Sequence, residues 1–182
     1  MQTRLFFLVA AGLLVGATLK MVKTRLGEGV QVSLPGDFVE MSPEDVALRY
    51  PSVRKPLGAF TNPDRTVDFS VNISATQWPD GDLEMAQKFF KSGLLNLFDR
   101  VDFYSEGIRE IRGKKFIYFE MESRINGSRR TEGDNEPVIR YTYIQYFVER
   151  DKALVFTYQC PTRLTEEKKR EAHAIMKSIS IK

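Results

Sequence analysis

Between residues 101 and 160, strand-like runs rich in β-branched and aromatic residues occupy 101–111, 114–123, 138–149 and 152–160. They are separated by Arg112-Gly113, by the polar segment 124–137 and by Arg150-Asp151. Such runs joined by a few turn residues read as hairpins, because neighbouring antiparallel strands need only a short connection. The pattern predicts an antiparallel four-strand meander at the centre of the chain. Its strands are apolar on both faces. Ile117, Phe119 and Met121 point one way and Phe116 and Tyr118 the other, while Ile144, Tyr146 and Val148 oppose Tyr141, Tyr143 and Phe147. A sheet apolar on both faces has to be covered on both.

Two amphipathic helices can supply the cover. Asp82 caps the first, Glu84 sits in its first turn, and Leu83, Ala86, Phe90, Leu94 and Leu97 recur at three- and four-residue steps opposite Gln87, Lys88 and Lys91. The second follows the meander. Thr165 is its expected cap, and Ala172, Ile175, Met176 and Ile179 form its apolar stripe, with Lys168, Lys169 and Arg170 facing outwards. Upstream, strands are expected at 30–34, ended by Pro35-Gly36, and at 57–60. The cleanest alternation sets Val67, Phe69, Val71 and Ile73 against Asp68, Ser70, Asn72 and Ser74. Residues 41–56 carry Pro43, Pro51 and Pro56, which cut them into short pieces. The expected fold is α+β, a central antiparallel sheet of about six to seven strands with a helix on each face, in a three-layer α/β/α sandwich. One domain is expected over residues 30–182, preceded by a linker at 18–29.

Residues 1–17 differ in kind. Arg4 precedes the apolar and small-residue run 5–17, which closes on Val15-Gly16-Ala17, the order of a secretory signal. Lys20, Lys23 and Arg25 follow, so the alternative is an uncleaved inner-membrane anchor at residues 5–19. Membrane contact is expected through that segment alone. The lone cysteine, Cys160, leaves neither an intrachain disulfide nor a lipid-attachment site after the run, and export without disulfides suits a bacterial envelope or periplasm. The net charge of +3 comes from 27 basic and 24 acidic residues that are interleaved, which argues against a nucleic-acid partner.

The order of elements carries a resemblance. A leading strand ending Leu34-Pro35-Gly36-Asp37-Phe38 is followed by a Pro-rich excursion, an alternating strand, a helix, a four-strand meander and a closing helix ending Met176-Lys177-Ser178-Ile179. That order resembles the PsbP-like superfamily, which includes the extrinsic photosystem II protein, a Ran-binding nuclear import factor and exported bacterial DcrB-like proteins. The resemblance implies a sheet between helices, no shared active site, and roles in binding or assembly.

Candidate chemistry is sparse. His173 is the only histidine and is expected at the surface, whereas a zinc site needs several ligands and a hydrolase a base beside its nucleophile. Cys160 reads as a buried thiol. Glu132, Asp134 and Glu136 could offer oxygen ligands, but Arg129 and Arg130 oppose a cation there and calcium-loop spacing is lacking. No metal, no cofactor and no enzyme activity are expected. On the meander, Tyr118, Glu120 and Glu122 share a face with Tyr141, Tyr143, Gln145, Phe156 and Tyr158. Paired carboxylates at i, i+2 can do acid–base work if their pKa values are pushed apart. The plainer reading pairs them with Arg109, Arg124 or Arg140 beneath a roof of tyrosines. Three functions follow: binding or assembly of an envelope protein partner, with the charged segment bearing Arg129, Arg130, Glu132, Asp134 and Glu136 as contact surface; a small-molecule carrier using the tyrosine-rich face; or an enzyme using Glu120 and Glu122. N-terminal sequencing of envelope-fraction protein is expected to find a start near Thr18, whereas an intact Met1 on membrane-bound material would mean an anchor.

Overall fold

The computed structural model describes residues 20–50, 54–78, 81–127 and 136–182, so the expected leader at 1–17 lies outside the described residues. In chain order the elements are β1 (Met21–Arg25), β2 (Val30–Pro35), β3 (Val39–Glu40), α1 (Pro43–Arg49), β4 (Gly58–Thr61) and β5 (Asp68–Ile73). Then come α2 (Leu83–Leu97), β6 (Arg100–Ile111), β7 (Lys114–Ile125), β8 (Val138–Glu149), β9 (Lys152–Pro161), α3 (Thr165–Ser178) and β10 (Ser180–Ile181). Seven strands form one antiparallel sheet in the order β3-β4-β5-β9-β8-β7-β6, so the meander occupies one side of it in sequence order. The fold is α+β, with this sheet between helices.

Turn chemistry fixes the meander's register. Arg112 and Gly113 close β6 onto β7 with φ of 53° and 77°, and Arg150 and Asp151 close β8 onto β9 with φ of 52° and 57°. Positive φ at both central residues matches the right-handed twist of the flanking strands. Gly113 adopts that conformation freely, while the three non-glycine residues do so against a steric preference.

Each face of the sheet has its own core. Ala86, Phe90 and Leu94 of α2 bury against Ile117, Phe119, Met121, Ile144 and Tyr146. The Phe90 ring stacks on Tyr146 at 4.2 Å. On the opposite face Ala172, Ile175 and Met176 of α3 meet Phe69, Tyr141, Tyr143, Phe156 and Tyr158. Val30, Val32 and Leu34 of β2 complete that core from a second, three-strand sheet ordered β1-β2-β10.

Three segments depart from the sequence reading. Residues 18–29, read as a linker, contain β1, which pairs with β2 from Met21↔Pro35 to Arg25↔Gln31. Val22, Lys23 and Arg25 remain exposed there, so the strand is held by its ladder and leaves no alternation to read. The Pro-rich stretch contains α1, with Pro43 at its first position and the Ser42 hydroxyl accepting from the Asp45 amide at 3.2 Å. Arg49 fastens α1 to β5 by donating to both oxygens of buried Asp68, at 2.5 and 2.7 Å. At α3 the Thr165 hydroxyl donates to the Thr162 carbonyl at 2.7 Å, securing the preceding 3-10 turn instead of capping an amide.

Phe69 is fully buried in the α3-side core, opposite Tyr158 on β9. Phe69→Ala is expected to cost about 3–5 kcal/mol in chemical denaturation. Lys88→Ala, on the exposed side of α2, is expected to change stability by less than about 0.5 kcal/mol.

Candidate functional site

The tyrosine-rich face assembles as strand alternation requires. Across β7 and β8 the register sets Tyr118 opposite Gln145, Glu120 opposite Tyr143 and Glu122 opposite Tyr141. Tyr143 in turn lies opposite Tyr158 of β9. Helix α3 lies over this face, and Tyr141, Tyr143, Gln145 and Tyr158 have no exposed surface. Ala172, Ile175 and Met176 occupy the space above them.

Polar contacts flank that apolar seam on both sides. On one side Glu120, 2% exposed, is the acceptor at the centre. The Tyr141 hydroxyl donates to its Oε1 at 2.9 Å, His173 Nε2 lies 3.1 Å from Oε2, and Lys169 Nζ lies 3.3 Å from Oε1. His173 and Lys169 are one helical turn apart, so both can reach one sheet residue from the edge of the stripe. On the other side the polarity is reversed, with the helix supplying the acid. The Tyr158 hydroxyl donates to Glu171 Oε1 at 2.9 Å, and Lys168 Nζ lies 3.5 Å from Oε2. A carboxylate on the sheet and a carboxylate on the helix each find a buried tyrosine and a lysine.

Towards the β6 edge the face opens. The Arg109 guanidinium lies 3.5 Å from the centre of the Tyr118 ring, whose hydroxyl meets Ser105 Oγ at 3.1 Å. Tyr104 stacks on Tyr141 and places its ring 5.3 Å from Lys169 Nζ. Its hydroxyl donates to half-buried Glu122 at 3.5 Å. Arg109 therefore stacks on an aromatic ring in place of the expected carboxylate pairing. The basic partners of Glu120, His173 and Lys169, come from α3.

The electrostatics run against acid–base catalysis. Burial pushes the Glu120 carboxyl up, but Tyr141, His173 and Lys169 outweigh it and hold the group below its ordinary value. A general base working near neutrality needs the opposite shift. Burial raises the hydroxyls of Tyr141, Tyr143 and Tyr158, with Glu120 or Glu171 adding to it. The Ser105 hydroxyl and the Arg109 guanidinium lower that of Tyr118. Burial, reinforced by Glu171, pushes the Cys160 thiol up to about 11, far from the thiolate a nucleophile needs. Among the described residues no group of three His, Cys, Asp or Glu could hold a metal ion.

Of the charged-segment candidates, Glu136 is exposed just before β8, while Arg129, Arg130, Glu132 and Asp134 lie outside the described residues. The root of the segment is tied down. The Asn126 amide donates to Asp99 at 2.7 Å and the Asp99 amide to the Arg124 carbonyl at 2.9 Å. Sequence reasoning set His173 at the surface and Lys169 facing outwards, whereas both reach Glu120, and it did not single out Glu171. The available signal was their position on the flanks of the Ala172–Met176 stripe, where a helix side chain is half-covered by the sheet it packs on.

No protein-family model matches the sequence, and neither does any curated protein. Solved structures do match in fold. The solution structure of cyanobacterial PsbP (CyanoP) from Synechocystis sp. PCC 6803 is 13% identical and superposes with a TM-score of 0.60, over 96% of this chain and 99% of that one. The Ran-binding protein Mog1p of Saccharomyces cerevisiae is 12% identical, with a TM-score of 0.57 over 90% and 96%. LpqN of Mycobacterium tuberculosis, described as involved in cell envelope biogenesis, is 11% identical, with a TM-score of 0.55 over 88% and 90%. The chain shares the PsbP-like fold. Among the described residues no helix is long and apolar enough to cross a membrane.

A carboxylate held below its unfolded value of about 4.3 adds stability that is complete above that pH and lost as pH falls through the lower, folded value. Glu120→Gln is therefore expected to cost about 1–3 kcal/mol at pH 7 through weakened hydrogen bonds. As pH falls below the ordinary carboxylate range its denaturation curve should close progressively on that of the wild type. A constant difference from pH 3 to pH 7 would show that the fold does not hold the Glu120 carboxyl below its ordinary value.

Proposed function

We propose that the chain is a non-enzymatic exported protein that binds, or helps to assemble, a protein partner at the bacterial envelope. The observation that carries this reading is the use of Glu120, His173, Lys169, Tyr141, Tyr158 and Glu171 in fastening α3 to the sheet. Groups committed to mutual contacts below a helix do not meet a substrate. The likeness in fold to a protein named as Ran-binding and to one named for envelope biogenesis supports a binding role and an envelope address. The signal-like order of residues 1–17 supports export. A carrier function has less support, because Ile175 and Met176 fill the space over Tyr143 and Tyr158.

The contact surface proposed is the charged segment between β7 and β8, displayed from two long, mutually paired strands. Charges of both signs on a contact segment set partner choice and association rate. Replacing both Arg129 and Arg130 by Glu is expected to weaken capture of the partner identified by pull-down from envelope extract and mass spectrometry. Thermal unfolding should stay within a few degrees of wild type, as for a surface change. Unchanged capture by this variant, together with turnover or ligand binding that Glu120→Gln abolishes, would overturn the reading.

A further inference from the structure

The outward side of α3 has a second character. Arg170, Ala174 and Lys177 are exposed along it, and Lys169 and His173 rise beside them from the Glu120 contact. Ala174 is short among long neighbours, so an open concavity of about 570 Å3 lies over it, walled by Lys169, Arg170, His173 and Lys177. Its lining is mainly aliphatic stem, methyl group and imidazole ring, with the cationic heads at the rim, the arrangement long basic side chains adopt on an apolar surface. Among the described residues neither Arg170 nor Lys177 has an ion-pair partner. Glu120 pairs with Lys169, which leaves Arg170 and Lys177 as the open cations of the rim.

We infer that this trough is a docking surface for a carboxylate-bearing segment of a protein partner. Arg170 and Lys177 receive the carboxylates, and a small apolar side chain sits over Ala174. The inference rests on the reading that the chain works by binding a protein, and adds a surface and a partner chemistry to it. Charge complementarity selects an acidic partner. The shape selects a segment of chain over a lipid surface. A helix that lies on a membrane presents large apolar side chains beside its cations, whereas none of the exposed large apolar residues belongs to α3. Glu166 and Glu167, exposed in its first turn, would also face anionic headgroups on a flat surface.

His173 is the only histidine, so its ring resonances report on the trough wall without assignment ambiguity. The probe is a synthetic peptide with glutamates at i, i+4 and i+7 and alanine or leucine between them, titrated to about 1 mM into the protein, with ring and amide shifts followed by NMR. The expected result is a salt-sensitive shift confined to His173 and the α3 amides. The Arg170→Glu/Lys177→Glu variant should bind at least about tenfold more weakly. The Lys23→Glu/Lys88→Glu variant, which changes net charge equally at exposed sites elsewhere, should bind within about twofold of wild type.

Three results would each overturn the inference: no shift on α3, equal weakening in the two variants, or co-sedimentation with phosphatidylglycerol vesicles that the α3 variant abolishes. Capture of the native partner separates this inference from the reading beneath it. If Arg129→Glu/Arg130→Glu loses the partner and the α3 variant keeps it, protein binding stands and the trough falls.

Discussion

A sheet with no solvent-facing side governs this architecture. Phe119 and Met121 on one face and Phe116, Tyr141 and Tyr143 on the other are all buried, so the meander cannot persist without cover on both sides. Helix α2 and helix α3 supply that cover at different positions along the sheet, α2 over β6 and β7 and α3 over β8 and β9. The offset leaves the α3-side face of β6 and β7 partly open. There, towards the rim, Arg109 lies over the Tyr118 ring and Tyr104 stacks on Tyr141.

The two helices are held by different means. Apolar stripe and aromatic stacking position α2, with one ion pair at its edge from Lys91 to Glu106 of β6. Helix α3 adds two opposed polar clamps, Glu120 with His173 and Lys169 on one flank and Tyr158 with Glu171 on the other. A purely apolar contact could slide or rotate by a residue at little expense. A buried carboxylate could not, because any shift would leave it without donors in a medium that penalises bare charge. The clamps thus define one seating of α3, and with it the placing of Arg170, Ala174 and Lys177 on the outside.

Much of this was legible in the chain, and the boundary of legibility has physical causes. Alternation was enough to place Tyr118, Glu120 and Glu122 on one face with Tyr141, Tyr143 and Gln145. Their register was not legible, because β7 and β8 are joined through residues 126–137 and not by a two-residue turn. Helical periodicity identified the buried face of α3 but not the sheet residue each flank would meet. His173, on a helix rich in charged residues, therefore read as a surface residue although its ring contacts Glu120 and Tyr143. β1 was hidden for a related reason. Its residues contribute main-chain pairing more than buried side chains, and ladders leave no imprint on hydropathy. The helix α1 was masked by the very Pro43 that starts it.

The pairing of β5 with β9 has a consequence for how the molecule is made. The meander can form from neighbouring segments, each hairpin closing over a two-residue turn or a single loop. By contrast, Phe69 meets Tyr158, and β2 meets β10, only after most of the chain has been synthesised. Contacts of such long sequence separation incur a loop-closure cost before they return any burial, and they slow folding accordingly. Until that closure the α3-side face of the meander stands uncovered, carrying Tyr141, Tyr143, Phe156 and Tyr158. Whatever meets the chain before that closure thus meets its most aromatic surface first, and its finished exterior last.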